Sequence, residues 1–221
     1  MNAKPHWNVG ILMFEGADMF DFAVPAEIFT VTTYNAEDAL AMLKGSNDAV
    51  DKPFTVRTVS CEGGLVQGNN GMQVLCDYSF KNAPSFDIVL VPGAVGESIE
   101  QAMMNRRLLS WLKKLGGRTP LFLSVCTGSL LLAAAGLLEG KQATTNVLAL
   151  DDLERIFPNV QVVRDSKYVD AGSVITSQGP ATGIDIALHV VKRLLGSEVA
   201  ACTAASIEYR GNHLFASQAN C

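Results

Sequence analysis

An α/β sandwich built on one mostly parallel sheet is the fold class this sequence predicts. Three short, continuous apolar runs, at residues 9–14, 87–92 and 120–125, have the composition of strands covered on both faces. Helix-length segments with apolar spacing near 3.6 lie between and after them. Alternation of buried strands with amphipathic helices places helices on both sides of a sheet, giving three layers.

The elements follow in chain order. The first strand covers 9–14, and a helix is expected over 25–42, opened by Pro25, whose fixed φ suits a first helical position. Residues 54–60 read as a strand. Residues 65–67 and 72–76 flank Gly68-Asn-Asn-Gly71, a hairpin signal. Helices are expected at 99–115, 128–137, 148–156 and 181–195, and strands at 160–164, 168–171 and 174–177. Neither internal repeats nor low-complexity tracts interrupt the pattern, and no linker divides it. The whole chain, 1–221, reads as one domain.

Composition excludes several classes of function. The formal net charge is -5, and no stripe of Lys and Arg is present to meet phosphates, so nucleic acid is not an expected partner. The pairs Arg106-Arg107 and Lys113-Lys114 fall on one helix and read as its solvated face. The apolar run 130–138 is far shorter than a bilayer span, and residues 1–8 lack the apolar core of a signal peptide, so a cytoplasmic protein is expected. Cys61, Cys76, Cys126, Cys202 and Cys221 show no metal-ligand spacing. Reduced thiols are expected, with no metal and no cofactor.

One cysteine stands apart. In Pro120-Leu-Phe-Leu-Ser-Val-Cys126-Thr-Gly-Ser129, an apolar strand pattern breaks into a helix pattern at Cys126. A side chain on such a turn is lifted off the sheet's carboxyl edge and faces the free N–H groups of the next helix, which favour an anion. Cys126 is therefore the candidate nucleophile, with a thiol expected to ionise readily. The alternative is a buried core thiol. Asp21, in the loop after the first strand, falls over the same edge and could share a proton with Cys126, acting later as general acid. It could instead cap the following helix, and Asp18 competes for either role. The turn Pro92-Gly93-Ala94 follows a buried strand. The N–H groups of Gly93 and Ala94, with that of Thr127, could form an oxyanion hole, though glycine turns after strands are commonly structural. His6, His189 and His213 lie near the termini or inside an amphipathic helix and are poor candidates for a general base.

Together these motifs resemble the ThiJ/PfpI superfamily, whose domains are like class I glutamine amidotransferases. The resemblance runs from about Val9 to Leu195. It rests on the acid four residues before a proline (Asp21 to Pro25), on Val91-Pro-Gly93, on Ser124-Val-Cys126-Thr-Gly-Ser129, and on the stretch 134–145 ending Ala-Thr-Thr. It implies a flavodoxin-like three-layer sandwich, a reactive cysteine on a strained nucleophile elbow at Cys126, and a protonated acid at Asp21 that donates to it. It also implies a homodimer. Two branches are similar. Isonitrile hydratase would give Cys126 the attack on an isonitrile carbon, Asp21 the proton handling and water the completion of an N-substituted formamide. The amino-terminal sensing domain of AraC-type regulators shares the Cys-Thr-Gly elbow, and residues 30–52 and 209–218 look more like that branch, although a helix-turn-helix half is missing. Small-molecule substrates or ligands are expected in either case. The sequence departs from the family pattern at Asn146, a pocket position where many members carry histidine, and at Ala94, where the family has glycine. Asparagine cannot exchange a proton near neutral pH, which puts histidine-dependent chemistry in doubt. Thr127 stands where a peptidase-like branch has histidine.

Overall fold

The computed structural model describes residues 4–45 and 50–210. Its centre is a seven-stranded sheet. The strands are β1 (Trp7–Leu12), β2 (Phe54–Ser60), β5 (Tyr78–Ser79), β6 (Ile88–Val91), β7 (Leu121–Ser124), β10 (Tyr168–Asp170) and β11 (Val174–Ser177), in the spatial order β10-β11-β7-β6-β1-β2-β5. All neighbours are parallel except β10 and β11. Strands β3 (Gly64–Gln67) and β4 (Gln73–Cys76) form the expected hairpin as a separate antiparallel ribbon. A second small sheet pairs β8 (Gln142–Ala143) with β9 (Gln161–Val162).

Period-two alternation explains the layers. Val9, Ile11 and Met13 face one core with Ile88, Leu90, Leu121, Leu123 and Val125, while Leu12, Phe14, Val89, Val91 and Phe122 face the other. The first core is closed by α1 (Met19–Val31), α7 (Thr182–Leu195) and α8 (Ser197–Ser206). The second is closed by α3 (Glu97–Met104), α4 (Arg106–Leu115), α5 (Gly128–Ala134) and α6 (Leu150–Ile156). The short α2 (Ala36–Leu43) lies against α8.

Three helix boundaries differ from expectation. The 25–42 segment is two helices, and the first begins at Met19. Asp18 is its cap, accepting from Phe20 N–H at 3.0 Å, so Pro25 lies inside α1 and Asp21 sits in its first turn. Proline has no N–H for the Asp21 carbonyl, but its ring finds room because Gly183 of α7 has no Cβ, which would lie 3.2 Å from Pro25 Cγ. The 99–115 segment breaks at Asn105, whose side chain accepts from the N–H groups of Arg107 and Leu108 and starts α4 afresh. The basic pairs Arg106-Arg107 and Lys113-Lys114 are exposed on α4, as expected. Helix α8, rich in small residues, has no counterpart among the expected elements.

The strand order reverses beside β1: β2 lies on one side and β6 on the other. A crevice opens at such a point beyond the carboxyl ends of the strands. Ala17, after β1, bridges to Ala94, after β6. Cys126 follows β7, one strand further on. Glycine at 128 is required here, because a Cβ on it would lie 2.2 Å from the Val91 carbonyl oxygen. Helix α5 thus starts in backbone contact with β6, which fixes where the elbow points. Gly128→Ala should cost at least about 2 kcal/mol in a urea melt, since the obstacle is main chain and cannot swing aside.

Candidate active site

Cys126 has φ +56°, a left-handed conformation that a side-chain-bearing residue adopts only under constraint. The constraint is visible. The Cys126 carbonyl accepts from Thr145 Oγ1 at 3.0 Å and from Ser129 Oγ at 3.5 Å, and Gly128 N–H closes a turn onto the Val125 carbonyl at 3.0 Å. Cys126 is 5% exposed and packs with the core beneath α1 and α7.

Asp21 is fully buried beside it. Its Oδ2 accepts from Gly93 N–H at 2.9 Å, while Oδ1 has no hydrogen-bond partner. Burial pushes the carboxyl pKa up to about 7; the Gly93 N–H opposes this, the Asp18 charge adds to it, and the neighbouring thiol opposes it. The thiol is pushed up to about 11, first by burial and then by the Asp21 charge, against the Asn146 amide and the Thr127 N–H. Both rise first because burial penalises the charged form, and on the thiol the Asp21 charge adds to that rise. The Cys126 thiol lies within hydrogen-bonding reach of the Asp21 carboxyl, which it stabilises in the charged form, while the Asp21 charge disfavours the thiolate. This reverses the expectation of a readily ionised thiol. Helix α5 is only seven residues long, and its first N–H is spent on Val125, so it offers little to offset burial.

The other candidate residues are placed as follows. Asn146 Nδ2 donates to Cys126 Sγ at 3.3 Å, and its Oδ1 accepts from Leu148 N–H at 3.0 Å, which fixes which end of the amide faces sulfur. The Gly93 N–H is bonded to Asp21. The Ala94 N–H is bonded to Thr127 Oγ1 at 3.0 Å, and that hydroxyl donates to the Ala94 carbonyl at 2.6 Å. Of the three amides expected to line an oxyanion hole, only that of Thr127 points at the reacting group. Gly93 serves instead by lacking a side chain. A Cβ there would lie 2.7 Å from Thr127 N and 2.9 Å from Asp21 Oδ2, so the acid and the elbow can approach only past a glycine. Thr145 and Ser129 are site residues that sequence reasoning missed. The Ala-Thr-Thr run beside Asn146 was the available signal for Thr145.

The remaining titratable residues lie elsewhere. His6 contacts the Lys52 carbonyl and Thr55, and His189 contacts Asp170 at 2.7 Å and Tyr168 at 3.4 Å. His213, Cys221 and residues 211–218 lie outside the described residues. Cys61 and Cys76 are free thiols, as expected, but Cys202 is disulfide-bonded, which corrects the expectation of reduced thiols throughout. No cluster of three or more His, Cys, Asp or Glu among the described residues could hold a metal. A cavity of about 270 Å³, lined by Phe14, Cys61, Leu65, Phe80 and Asn105 among others, opens past β1 and β2 and does not include Cys126. The site is identified by its chemistry, not by the volume of that cavity.

A cysteine on a left-handed strand-to-helix turn, facing a buried acid in the first turn of α1, defines the class: an α/β domain with a nucleophile elbow at the sheet's switch point. The chain belongs to the DJ-1/PfpI family, whose model matches residues 8–193. It is 34% identical over 147 residues to isonitrile hydratase from Pseudomonas putida, covering 65% of this chain and 61% of that protein. It is 31% identical over 142 residues to the HTH-type transcriptional regulator CdhR from Pseudomonas aeruginosa, covering 64% of this chain and 41% of the regulator. The match therefore spans less than two thirds of either relative. Among solved structures, a ThiJ/PfpI family protein from Pseudomonas syringae superposes with a TM-score of 0.77 at 22% identity, covering 97% of this chain and 79% of that one. Among the described residues, no helix is long and apolar enough to cross a membrane.

The raised Asp21 pKa has a measurable consequence. A carboxyl whose folded pKa lies above its unfolded value favours folding while protonated, so this stability is full below about pH 4 and is lost as pH rises through about 7. The loss is about 4 kcal/mol for a shift of this size. Asp21→Asn should flatten the pH dependence of stability across that window and leave the variant more stable than wild type at pH 8, measured by chemical denaturation. The Asn146 amide should matter in the opposite sense. Asn146→Ala removes a donor to sulfur and should slow iodoacetamide alkylation of Cys126 several-fold at fixed pH, read on the Cys126 peptide by mass spectrometry.

Proposed function

We propose that the chain is a cysteine-dependent enzyme acting on a small electrophile, with hydration of an isonitrile as the specific reaction. One observation carries this reading: Asp21 is buried against the Cys126 thiol with a pKa near 7, accepts from Gly93 on Oδ2, and leaves Oδ1 without a partner. A neutral carboxyl in that setting carries its proton on Oδ1, the one oxygen free to deliver it to a bound molecule.

In the proposed reaction the sulfur lone pair forms a bond to the terminal carbon of the isonitrile, and the carbon lone pair takes a proton from the Asp21–Cys126 pair. The product is a thioimidate, with a carbon–nitrogen double bond and a new C–H bond. Water then adds to that carbon, the nitrogen takes a proton, and the carbon–sulfur bond breaks to release an N-substituted formamide and regenerate the cysteine. Asn146 holds the sulfur through Nδ2 and the Thr127 N–H stabilises it as charge develops. The identity to isonitrile hydratase supports the substrate assignment. The reading needs no cofactor, and it includes a cytoplasmic homodimer, the commonest symmetric assembly.

A second reading is favoured by one observation. A thiol that is 5% exposed and pushed up to about 11 carries little thiolate near neutral pH, which disfavours covalent turnover and leaves non-covalent ligand binding unaffected. The chain would then be a ligand- or redox-sensing domain like those of AraC-type regulators, in keeping with its likeness to CdhR. Turnover decides between the two. The protein should convert aliphatic isonitriles to formamides, detected by mass spectrometry, with product abolished in Cys126→Ala and reduced at least about 100-fold in Asp21→Asn. Saturable binding of small molecules with no cysteine-dependent product from any isonitrile would establish the sensor.

A further inference from the structure

The segments that meet around Cys126 share a property of charge. Residues 14–31, 65–76, 91–104, 121–138 and 142–150 contain no Lys, Arg or His, although the chain has 17 Lys and Arg in total. The acids in those segments include Glu15, Asp18, Asp21 and Glu97. Only Asp21 and Asp18 act on the Cys126 thiol through their charge, and both disfavour its ionisation. Asp21 is sealed inside against the thiol. Asp18 is half-buried and held in place: its N–H donates to the Gly93 carbonyl at 2.8 Å, Oδ1 accepts from Phe20 N–H, and Oδ2 accepts from Asn69 Nδ2 at 3.1 Å. No ion pair to Asp18 is formed by any described residue. On the α7 side, Lys167 is paired with Asp185 at 3.6 Å. Within these segments the apolar side chains Phe20, Val95, Val147 and Leu148 are open to solvent, as are the acids Glu15 and Glu97.

Resting on the reading of Cys126 as nucleophile, we propose that Asp18 is a specificity-determining residue which makes the approach to Cys126 an anion-excluding filter. The site takes neutral or cationic small electrophiles with apolar substituents and rejects those carrying a carboxylate or sulfonate. A fixed carboxylate with no counter-ion, beside a site of reduced dielectric, repels an incoming anion and leaves a neutral molecule unaffected. Opposing that repulsion would take a cation near the sulfur, and the surrounding segments supply none.

Three methanethiosulfonate reagents of graded charge test this: a neutral methyl reagent, a cationic trimethylammonioethyl reagent and an anionic sulfonatoethyl reagent. In each case the protein sulfur attacks the sulfenyl sulfur, a disulfide forms and methanesulfinate leaves. Rates are read at low salt on the Cys126 peptide by mass spectrometry, and each is divided by the rate of the same reagent with free 2-mercaptoethanol at the same pH. The normalised anionic rate should fall at least about tenfold below the neutral one, and the cationic rate should not fall with it. Raising the salt should narrow the gap. Asp18→Asn keeps a side chain that caps α1 equally well and should recover several-fold of the anionic rate. Equal normalised rates for anion and neutral reagent would overturn the filter, as would a cation slowed as much as the anion, which marks exclusion by size. A gap unchanged both by salt and in Asp18→Asn would remove Asp18 from the role. Failure of all three reagents to label Cys126 would instead overturn the nucleophile reading on which the filter rests.

Discussion

Two acids buried against each other, both held toward their neutral forms, are the constraint around which this molecule is arranged. Asp21 and Cys126 come from segments far apart in sequence; burial raises both pKa values, the Asp21 charge raises the thiol's further, and the thiol's hydrogen bond to the acid opposes the acid's rise. A single buried carboxyl costs stability when it ionises, and a thiolate beside it would add repulsion. The fold meets that cost by leaving one proton in place and by aiming neutral donors at what remains: Gly93 N–H at the carboxyl, Asn146 Nδ2 and Thr127 N–H at the sulfur. Everything near the pair is fitted to that approach. Gly93 has no Cβ because one would strike both the acid and the elbow, and Gly128 has none because α5 begins against the β6 backbone.

The sheet supplies the geometry. Parallel strands β1, β6 and β7 end at one edge, so the segments after them, the first turn of α1 among them, deliver the acid, the glycine turn and the cysteine to the same place. The two faces of the sheet are filled by alternating residues of the same strands, which leaves little freedom for one strand to slide against the next. Register within the sheet therefore fixes the distance between acid and thiol. The left-handed φ of Cys126 is the local strain that this packing sustains, stabilised by the Thr145 and Ser129 hydroxyls on its carbonyl.

The sequence is readable where one physical signal dominates. Buried strands are continuous apolar runs, so β1, β2, β6, β7 and β11 are legible to within about two residues of either end, and the strand-to-helix break at Cys126 marks the elbow. Helix boundaries are legible only where apolar spacing is not continuous across them. Asn105 interrupts no apolar period, yet its side chain satisfies two N–H groups and divides α3 from α4. Helix α1 carries apolar residues such as Phe20 and Ala23 on its exposed face as well as on its buried one, so its start shows no one-sided pattern, and the proline signal points to Pro25 when the cap is Asp18. The state of the thiol is not legible at all. Helix N-terminal donors favour a thiolate, but burial and the Asp21 charge outweigh them, and burial depends on how α1 and α7 close over the sheet. Cys202 carries its disulfide inside a helix of small residues that no periodicity announces.

Asn146 limits what the site can do more sharply than any other residue. A histidine in contact with the sulfur would add a third titratable group and let the thiol pass its proton sideways to a base. An amide donates to sulfur but can neither take a proton nor give one. Its Oδ1 is committed to Leu148 N–H, so even reorientation cannot turn an acceptor toward the thiol without breaking that bond. The proton that leaves sulfur must therefore travel through Asp21 or go directly to the substrate. Addition to an atom that is itself a strong proton acceptor as the carbon–sulfur bond forms satisfies that condition, whereas a mechanism that needs a separate base to activate water before attack does not. The terminal carbon of an isonitrile, which gains a bond to sulfur and a bond to hydrogen in the same step, is an electrophile of the first kind.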